Sequence, residues 1–469
     1  MTRSFLTVQG EHITLDGKPI ILKGAGLGGW MNMENFITGY PGHEYQVRAA
    51  LRSVLGEEKY EYFFDKFLEY FFTEEDAAFF ASLGLNCIRL PVNYRHFEDD
   101  DNPRVFKRAG LKHLDRVIDL CAKHGIYTVI DLHAAPGGQN LDWHADAGNN
   151  QALFWVHKDF QDRTVLIWEE LARHYRDNPW VAGYNPLNEP TDEAQVRLPV
   201  FYQRIEAAIR AVDPNHILFL DGNTFGRDFS AFGPPLPNTV YACHDYSNYG
   251  FPNPPEPFVG SDAQIAFHER HFARKVEYMR EHGLPVWNGE FGPVYQSAKD
   301  DPNFEATNEQ RYAVLETQLS IYARTNASWS IWLYKDIGFQ GMVYVGDDTP
   351  YIRLLAPFLA KKRALAADAW GVDDTPVRHL FEPMEKWLID AAPTIEKRYP
   401  PGFRAHKHLF RQVRNTLLSE ELCHEFASYF EDKSLEELDA LAQSFAFSNC
   451  KQRGKLNAIL QADGAREVV

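Results

Sequence analysis

Val181-Ala-Gly-Tyr-Asn-Pro-Leu-Asn-Glu-Pro190 is a short apolar run that delivers an Asn-Glu pair and then stops. Pro190 has no N–H to give to a ladder, so the strand ends there and Glu189 is presented at its tip. A second stretch, Pro285 to Gly292, reads Pro-Val-Trp-Asn-Gly-Glu-Phe-Gly and brings Glu290 to a strand end in the same manner. The two acids are 101 residues apart (290 − 189), room for three strand–helix units of about 30 residues each. In a closed parallel barrel both carboxyls open on one mouth. A facing pair of carboxyls suits glycoside cleavage: an acid protonates the departing oxygen and a carboxylate stabilises or captures the sugar cation.

Working outward, strands are expected at Asn86 to Val92, Tyr127 to His133, Val181 to Asn188, His216 to Asp221, Val240 to Tyr246, Val286 to Glu290 and Ser328 to Tyr334. A first strand at Ile20 brings the set to eight. Amphipathic stretches separate most of them, among them Leu111 to His124, Asp159 to Tyr175, Ala194 to Val212, Ala263 to His282 and Asn308 to Thr325. This alternation predicts the α/β class and an (β/α)₈ TIM barrel. Ahead of it, Leu6 to Leu22 alternates and turns at Asp16-Gly17, an N-terminal β-hairpin placed to cap the barrel floor. Glu44 to Leu83 reads as a long aromatic-rich helical stretch for packing. The catalytic domain is expected to span 1–365. Residues 366–469, broken by Pro400-Pro401-Gly402 and then charged and amphipathic, read as a C-terminal helical extension packed on the barrel or on a second subunit.

The chain has 469 residues, 14% of them aromatic, and a net charge of −17. Nucleic acid or an anionic membrane would call for clustered Lys and Arg, so neither is expected as a partner. Nowhere do about 18 apolar residues follow one another, so no membrane span is expected. Met1 to His12 lacks the apolar run of a secretory leader. Cys87, Cys121, Cys243, Cys423 and Cys450 are odd in number and scattered, which argues for free thiols in a reduced, cytoplasmic setting. Asn326-Ala327-Ser328 runs straight into an apolar strand, so this sequon is read as chance.

Arg89, His133, Asn188, Glu189, His244, Tyr246, Glu290 and Trp332 all fall at C-terminal strand ends, the rim where barrel enzymes place their chemistry. Each alone is as well explained by packing or a core ion pair; their coincidence on one rim is the signal. Gly24-Ala-Gly-Leu-Gly-Gly29 formally matches a dinucleotide-binding turn, but Trp30 to Phe36 is a poor opening for the helix such a turn needs. The glycines are read instead as close backbone passage. His268-Glu-Arg-His271 misses the zinc-protease spacing, and His406 and His408 face apart on a helix, so no metal site is expected.

Seven ordered segments carry a resemblance. They are Gly26 to Ile37, Asn86 to Val92, Ile130 to Asn140, Leu187 to Pro190, His244 to Tyr246, Asn288 to Gly292 and Ser330 to Lys335. Together they resemble glycoside hydrolase family 5, in its exo-β-1,3-glucanase-like branch. The resemblance implies a retaining β-glycosidase acting on a β-linked glucosyl unit without a cofactor, with Glu189 as general acid/base and Glu290 as nucleophile. It places Arg89, His133, Asn188, His244, Tyr246 and Trp332 around the cleaved sugar, and Glu34 and the Asp142 region on its outer hydroxyls. Retention requires carboxyls about 5 Å apart, with Glu189 neutral between cycles and Glu290 ionised by Arg89 and Tyr246. Which of Asp142 and Asp146 binds the sugar stays open. Trp143, His144 and the Phe251 to Phe258 loop would narrow the cleft toward exo action. Two rivals remain: another specificity of the family (diglycosidase, glycolipid glycosidase or endo-glucanase), and a barrel that binds carbohydrate without turnover.

Overall fold

Eight parallel strands close on one another: β4 (Lys23–Gly26), β5 (Cys87–Asn93), β6 (Tyr127–Ala134), β7 (Val181–Asn185), β8 (Ile217–Asp221), β9 (Thr239–His244), β10 (Val286–Glu290) and β11 (Ser328–Ile331). The computed structural model describes residues 3–299, 301–367, 370–371, 373–395 and 405–466, without side chains at 405–407. The barrel is closed by β11, which pairs with β10 on one side (Trp287 opposite Ser328) and with β4 on the other (Trp329 opposite Lys23). Almost every strand residue is buried, as expected when side chains fill the inside and helices cover the outside. The covering helices include Leu111–Lys123, Lys158–Tyr175, Arg197–Arg210, Asp262–Lys275 and Phe304–Arg324.

The floor is sealed by an antiparallel sheet of β1 (Leu6–Gln9), β2 (His12–Leu15) and β3 (Lys18–Ile20). Its Leu6 and Ile13 pack with Cys87, Tyr127, Phe219 and Trp287 at the bottom of the barrel. Here the sequence expectation needs a correction. The first barrel strand is not at Ile20; Asp16 and Gly17 take left-handed φ (52° and 76°) and fold Lys18–Ile20 back on β2. The barrel begins three residues later, at Lys23. A Cβ on Gly24 would lie 1.6 Å from the carbonyl oxygen of Cys87, so glycine is needed there for close strand passage. The glycine run opens into a loop and the four-residue helix Asn35–Thr38, not straight into a long helix as a dinucleotide turn requires. β7 likewise ends at Asn185 rather than Asn188, because Pro186 cannot extend the ladder.

The Glu44 to Leu83 stretch is two helices, Glu44–Phe71 and Glu74–Ser82, the second opened by a Thr73/Asp76 capping box. The first carries a break at Gly56 (φ 71°). Its phenylalanines face the C-terminal helices Ser419–Ser428 and Leu435–Gln443. Phe63 meets Phe430 with centroids 5.4 Å apart, and Phe67 meets Phe445 at 4.9 Å. Lys335, fully buried, pairs with Asp76 (2.7 Å) and donates to the carbonyls of Phe71 (2.7 Å) and Phe445 (2.8 Å). The segment beyond 365 is thus built into the barrel's own core. The side chains of His406 and Lys407 lie outside the described residues. Among the described residues, no helix is long and apolar enough to cross a membrane, and all five cysteines are free.

Candidate active site

At the C-terminal mouth of the barrel opens a cavity of about 640 Å³, with Glu189 and Glu290 in its wall. Glu290 is the last residue of β10 and is 5% exposed. Arg89, from the middle of β5, donates Nη1 to Oε1 of Glu290 at 2.6 Å, and the Tyr246 hydroxyl donates to Oε2 at 3.0 Å. A charge-assisted bond and a phenolic donor leave the carboxylate little rotational freedom. The guanidinium of Arg89 has no exposed surface; it also binds Asn188 Oδ1 (2.6 Å), Asn185 Oδ1 (3.0 Å) and Asp131 (3.0 Å). Burial opposes its charge, but Asp131, Glu290 and Asp221 outweigh burial and raise its pKa.

Glu189 sits past the end of β7 with φ 46°, a left-handed conformation that a non-glycine residue holds only under external constraint. The constraint is visible: its N–H donates to Asp221 Oδ2 (2.9 Å) at the end of β8, and its carbonyl accepts from Asn140 Nδ2 (3.1 Å). Its carboxyl lies between two imidazoles, with His244 Nδ1 at 2.7 Å from Oε1 and His144 Nε2 at 3.3 Å from Oε2. Burial disfavours the Glu189 charge, yet His244 and His144 together hold its pKa well below the usual carboxylate value. Both imidazoles are correspondingly raised, against their own burial. The two imidazoles thus favour the charged form of Glu189, where the resemblance implied a neutral one between cycles. One oxygen of Glu189, one of Glu290 and a nitrogen of His244 all lie within 4.8 Å of one another. This trio has the donor types of a metal site, but its lone pairs are committed to Arg89, Tyr246 and the His244 hydrogen bond. A further cation would stand against Arg89.

Around this pair, Trp332 stacks on His133 with centroids 5.3 Å apart and planes 4° from parallel. Cβ atoms on Gly26 and Gly28 would come within 2.7 and 2.5 Å of the Trp332 indole, so the glycine run after β4 is its bed. His133 bonds Asp131 at 2.7 Å; burial pushes its pKa down, but Asp131 and Glu34 prevail and raise it to about 10. Glu34 accepts from Trp143 Nε1 at 3.0 Å. All eleven residues expected at the site, Glu34, Arg89, His133, Asp142, Trp143, Asn188, Glu189, His244, Tyr246, Glu290 and Trp332, are gathered at this mouth. Asp142 lines the cavity, whereas Asp146 is turned away to bond Asn93 Nδ2 (2.9 Å), the Tyr45 N–H (2.9 Å) and Arg95.

Two wall residues from beyond the barrel segment have no counterpart in the sequence expectations. Arg411, 4% exposed, reaches across from the helical segment Arg411–Leu418 and holds Asp142 through Nε and through Nη2 (2.9 Å). Trp370 bonds Gln340 (2.6 Å) and meets Tyr246 edge-on at 5.0 Å, Phe251 at 4.8 Å and Trp143 at 6.5 Å. Both lie beyond the barrel segment, where no strand rhythm pointed to the mouth. His144, expected only to narrow the cleft, also partners Glu189, whereas Asn185 and Asp221 were missed although they are polar residues at strand ends and so carried the same signal as the rest.

The family model for Cellulase (glycosyl hydrolase family 5) matches residues 58–338. A "Beta-xylosidase" of Phanerodontia chrysosporium is 61% identical over 464 residues, covering 97% of this chain and 98% of its own. A "Probable glucan 1,3-beta-glucosidase A" of Emericella nidulans is 32% identical over 230 residues, 47% of this chain and 55% of its own. Among solved structures, an endogalactoceramidase superposes with a TM-score of 0.50 at 20% identity, over 71% of this chain and 75% of its own, a likeness of fold.

Proposed function

We propose, from the premise that this chain belongs to glycosyl hydrolase family 5 and is a retaining glycoside hydrolase acting on β-linked sugars, that it releases a single β-linked xylosyl unit by double displacement at Glu189 and Glu290. The observation that carries the two-residue mechanism is the pair of carboxyls, within 4.8 Å, in unlike environments. Retaining enzymes hold theirs about 5 Å apart, leaving no space for a water between them. Glu290, aligned by Arg89 and Tyr246, attacks the anomeric carbon. The proton held by Glu189 with His244 and His144 passes through Glu189 to the leaving oxygen. Glu189 then takes a proton from the water that opens the glycosyl ester of Glu290. Asn188, fixed by Arg89, is placed to serve the sugar's 2-hydroxyl, and Trp332 the apolar face of the ring.

Support for the xylosyl glycone comes from the 61% identical relative named as a β-xylosidase, and from the aromatic wall of Trp143, Trp370, Tyr246 and Phe251, which suits a small terminal ring. A glucosyl glycone is the second reading, favoured by the β-glucosidase relative and by the resemblance in the motif series. The five free thiols support a reducing compartment. The test is hydrolysis of matched aryl β-xylosides and β-glucosides by the wild type, Glu290→Ala and Glu189→Ala. Each variant should lose on the order of 10⁴-fold in kcat on substrates with poor leaving groups. Azide should then return an inverted glycosyl azide from Glu290→Ala and a retained one from Glu189→Ala. The opposite pairing of adducts would reverse the roles, and absence of hydrolysis of any glycoside would favour a binding barrel.

A further inference from the structure

The wall of the cavity also includes Phe225, Arg227, Phe267, His271 and Arg274, an arm of lining that the two-carboxyl chemistry leaves without a role and in which both arginines are exposed. Phe225 and Arg227 belong to the loop after β8, where Thr224 and Phe225 both hold left-handed φ, 56° and 59°. Branched and bulky side chains avoid that region unless their surroundings impose it. Here the surroundings are the acid's own turn: the Phe225 N–H donates to the Pro190 carbonyl at 3.3 Å, and a Cβ on Gly226 would lie 3.1 Å from the His244 backbone nitrogen. The loop is therefore pinned beside Glu189 on the side away from Glu34 and Trp143.

Charge distinguishes the arm. Arg227 uses Nε on the Thr224 carbonyl (2.9 Å) and lies 5.9 Å from the Phe225 ring. Although its side chain is exposed, desolvation lowers its pKa, and the Glu189 carboxylate opposes that shift. Arg274 contacts His271 Nε2 at 3.3 Å, an imidazole held below its usual pKa by burial, Lys275 and Arg274. The neighbouring charges are spent elsewhere: Lys275 is matched by Asp245 at 2.6 Å, and His268 bonds Ser247 (2.7 Å) and the Gln264 carbonyl (2.8 Å). Among the described residues, neither Arg227 nor Arg274 has a carboxylate partner.

We propose that this arm holds the leaving group and that the leaving group is a ring bearing a carboxylate. The inference rests on Glu189 being the general acid, since the group attached to the protonated oxygen then departs past Glu189. A guanidinium fork matches a carboxylate in shape and charge, and Phe225 and Phe267 supply apolar faces for the ring. At the glycone end Glu34 and Asp142 also line the wall, but there His133 and Arg411 face them.

The experiment compares β-xylosides and β-glucosides of 4-hydroxybenzoate and 4-hydroxybenzamide on the wild type and on Arg227→Gln/Arg274→Gln. The amide gives the better phenol leaving group, so preference for the acid cannot come from intrinsic reactivity. A ratio of kcat/KM, acid over amide, of about 10-fold or more at low salt is expected, falling toward one in the double variant and in high salt. A ratio near one in the wild type, or one unchanged in the double variant, overturns the proposal. Calorimetric binding of the sulfur-linked pair reads the same ratio without turnover. Failure of hydrolysis with the binding ratio intact would thus sink the glycosidase mechanism and spare the arm. A disaccharide ending in a uronic acid, set against its methyl ester, distinguishes a sugar acid from an aromatic acid as the occupant.

Discussion

Arg89 occupies no surface and serves four oxygen-bearing partners at once, so its planar fork is what aligns Glu290 with Asn188. Lysine at this position would keep the charge and lose the geometry. Arg89→Lys is expected to reduce kcat by about 10²-fold with a small change in KM, measured on an aryl glycoside; an intact kcat would refute the positioning role. Arg411 makes the complementary case, because it touches Asp142 and neither of the paired acids. Arg411→Ala is expected to raise KM by roughly 10-fold with kcat nearly kept, the pattern of lost ground-state binding. His133 carries a prediction about pH. Its folded pKa is raised from 6.5 to about 10, so its contribution to stability is whole below pH 6.5 and drains as pH climbs through 10. Urea unfolding of the wild type between pH 6.5 and 10 should show this falling stability, and His133→Gln should flatten it; identical slopes would exclude the linkage.

At the level of elements, the tight joint of β4 with β5 and the kinked Glu44–Phe71 helix use glycine for different reasons. Gly24 is a matter of space, with a carbonyl where a Cβ would go. Gly56 is a matter of backbone, with φ 71° and nothing within 4 Å of a built Cβ. Gly24→Ala should therefore destabilise by more than about 3 kcal/mol, since a barrel strand must shift, and Gly56→Ala by only about 1 to 2 kcal/mol. Denaturant midpoints of the two variants test the order, and a Gly24→Ala protein of near wild-type stability would show that the joint yields. The glycine run that follows β4 extends the same logic into the site, because Gly26 and Gly28 admit the indole that stacks on His133.

For the whole molecule, the C-terminal segment is structural cement as well as part of the cavity wall. Phe426, Phe430 and Phe445 are buried with Phe63 and Phe67, and Lys335 ties the barrel to both layers. Ending the chain at 365 would uncover these rings and strip Lys335 of the Phe445 carbonyl. Such a truncation is expected to be insoluble or molten, with lost near-ultraviolet circular dichroism, and inactive. A folded, active 1–365 barrel would show the extension to be dispensable.

What the chain alone determined is the part written in local order: apolar runs that end in polar residues, separated by amphipathic stretches, lead to a barrel and put Glu189, Glu290 and their neighbours on one rim. Periodicity and Pro or Gly stops act over a few residues, so they are legible without a structure. Other features depend on distant partners. The start of the barrel at Lys23 rather than Ile20 depends on how three strands pair below it. The ionisation of Glu189 depends on His144 from the loop after β6 and His244 from the end of β9, and no single-residue preference encodes that. The contact of Arg411 with Asp142 spans 269 residues, and Trp370 reaches Tyr246 from beyond the last barrel strand. These were decided by tertiary packing alone, because burial and charge pairing are properties of neighbours in space and not of neighbours in sequence.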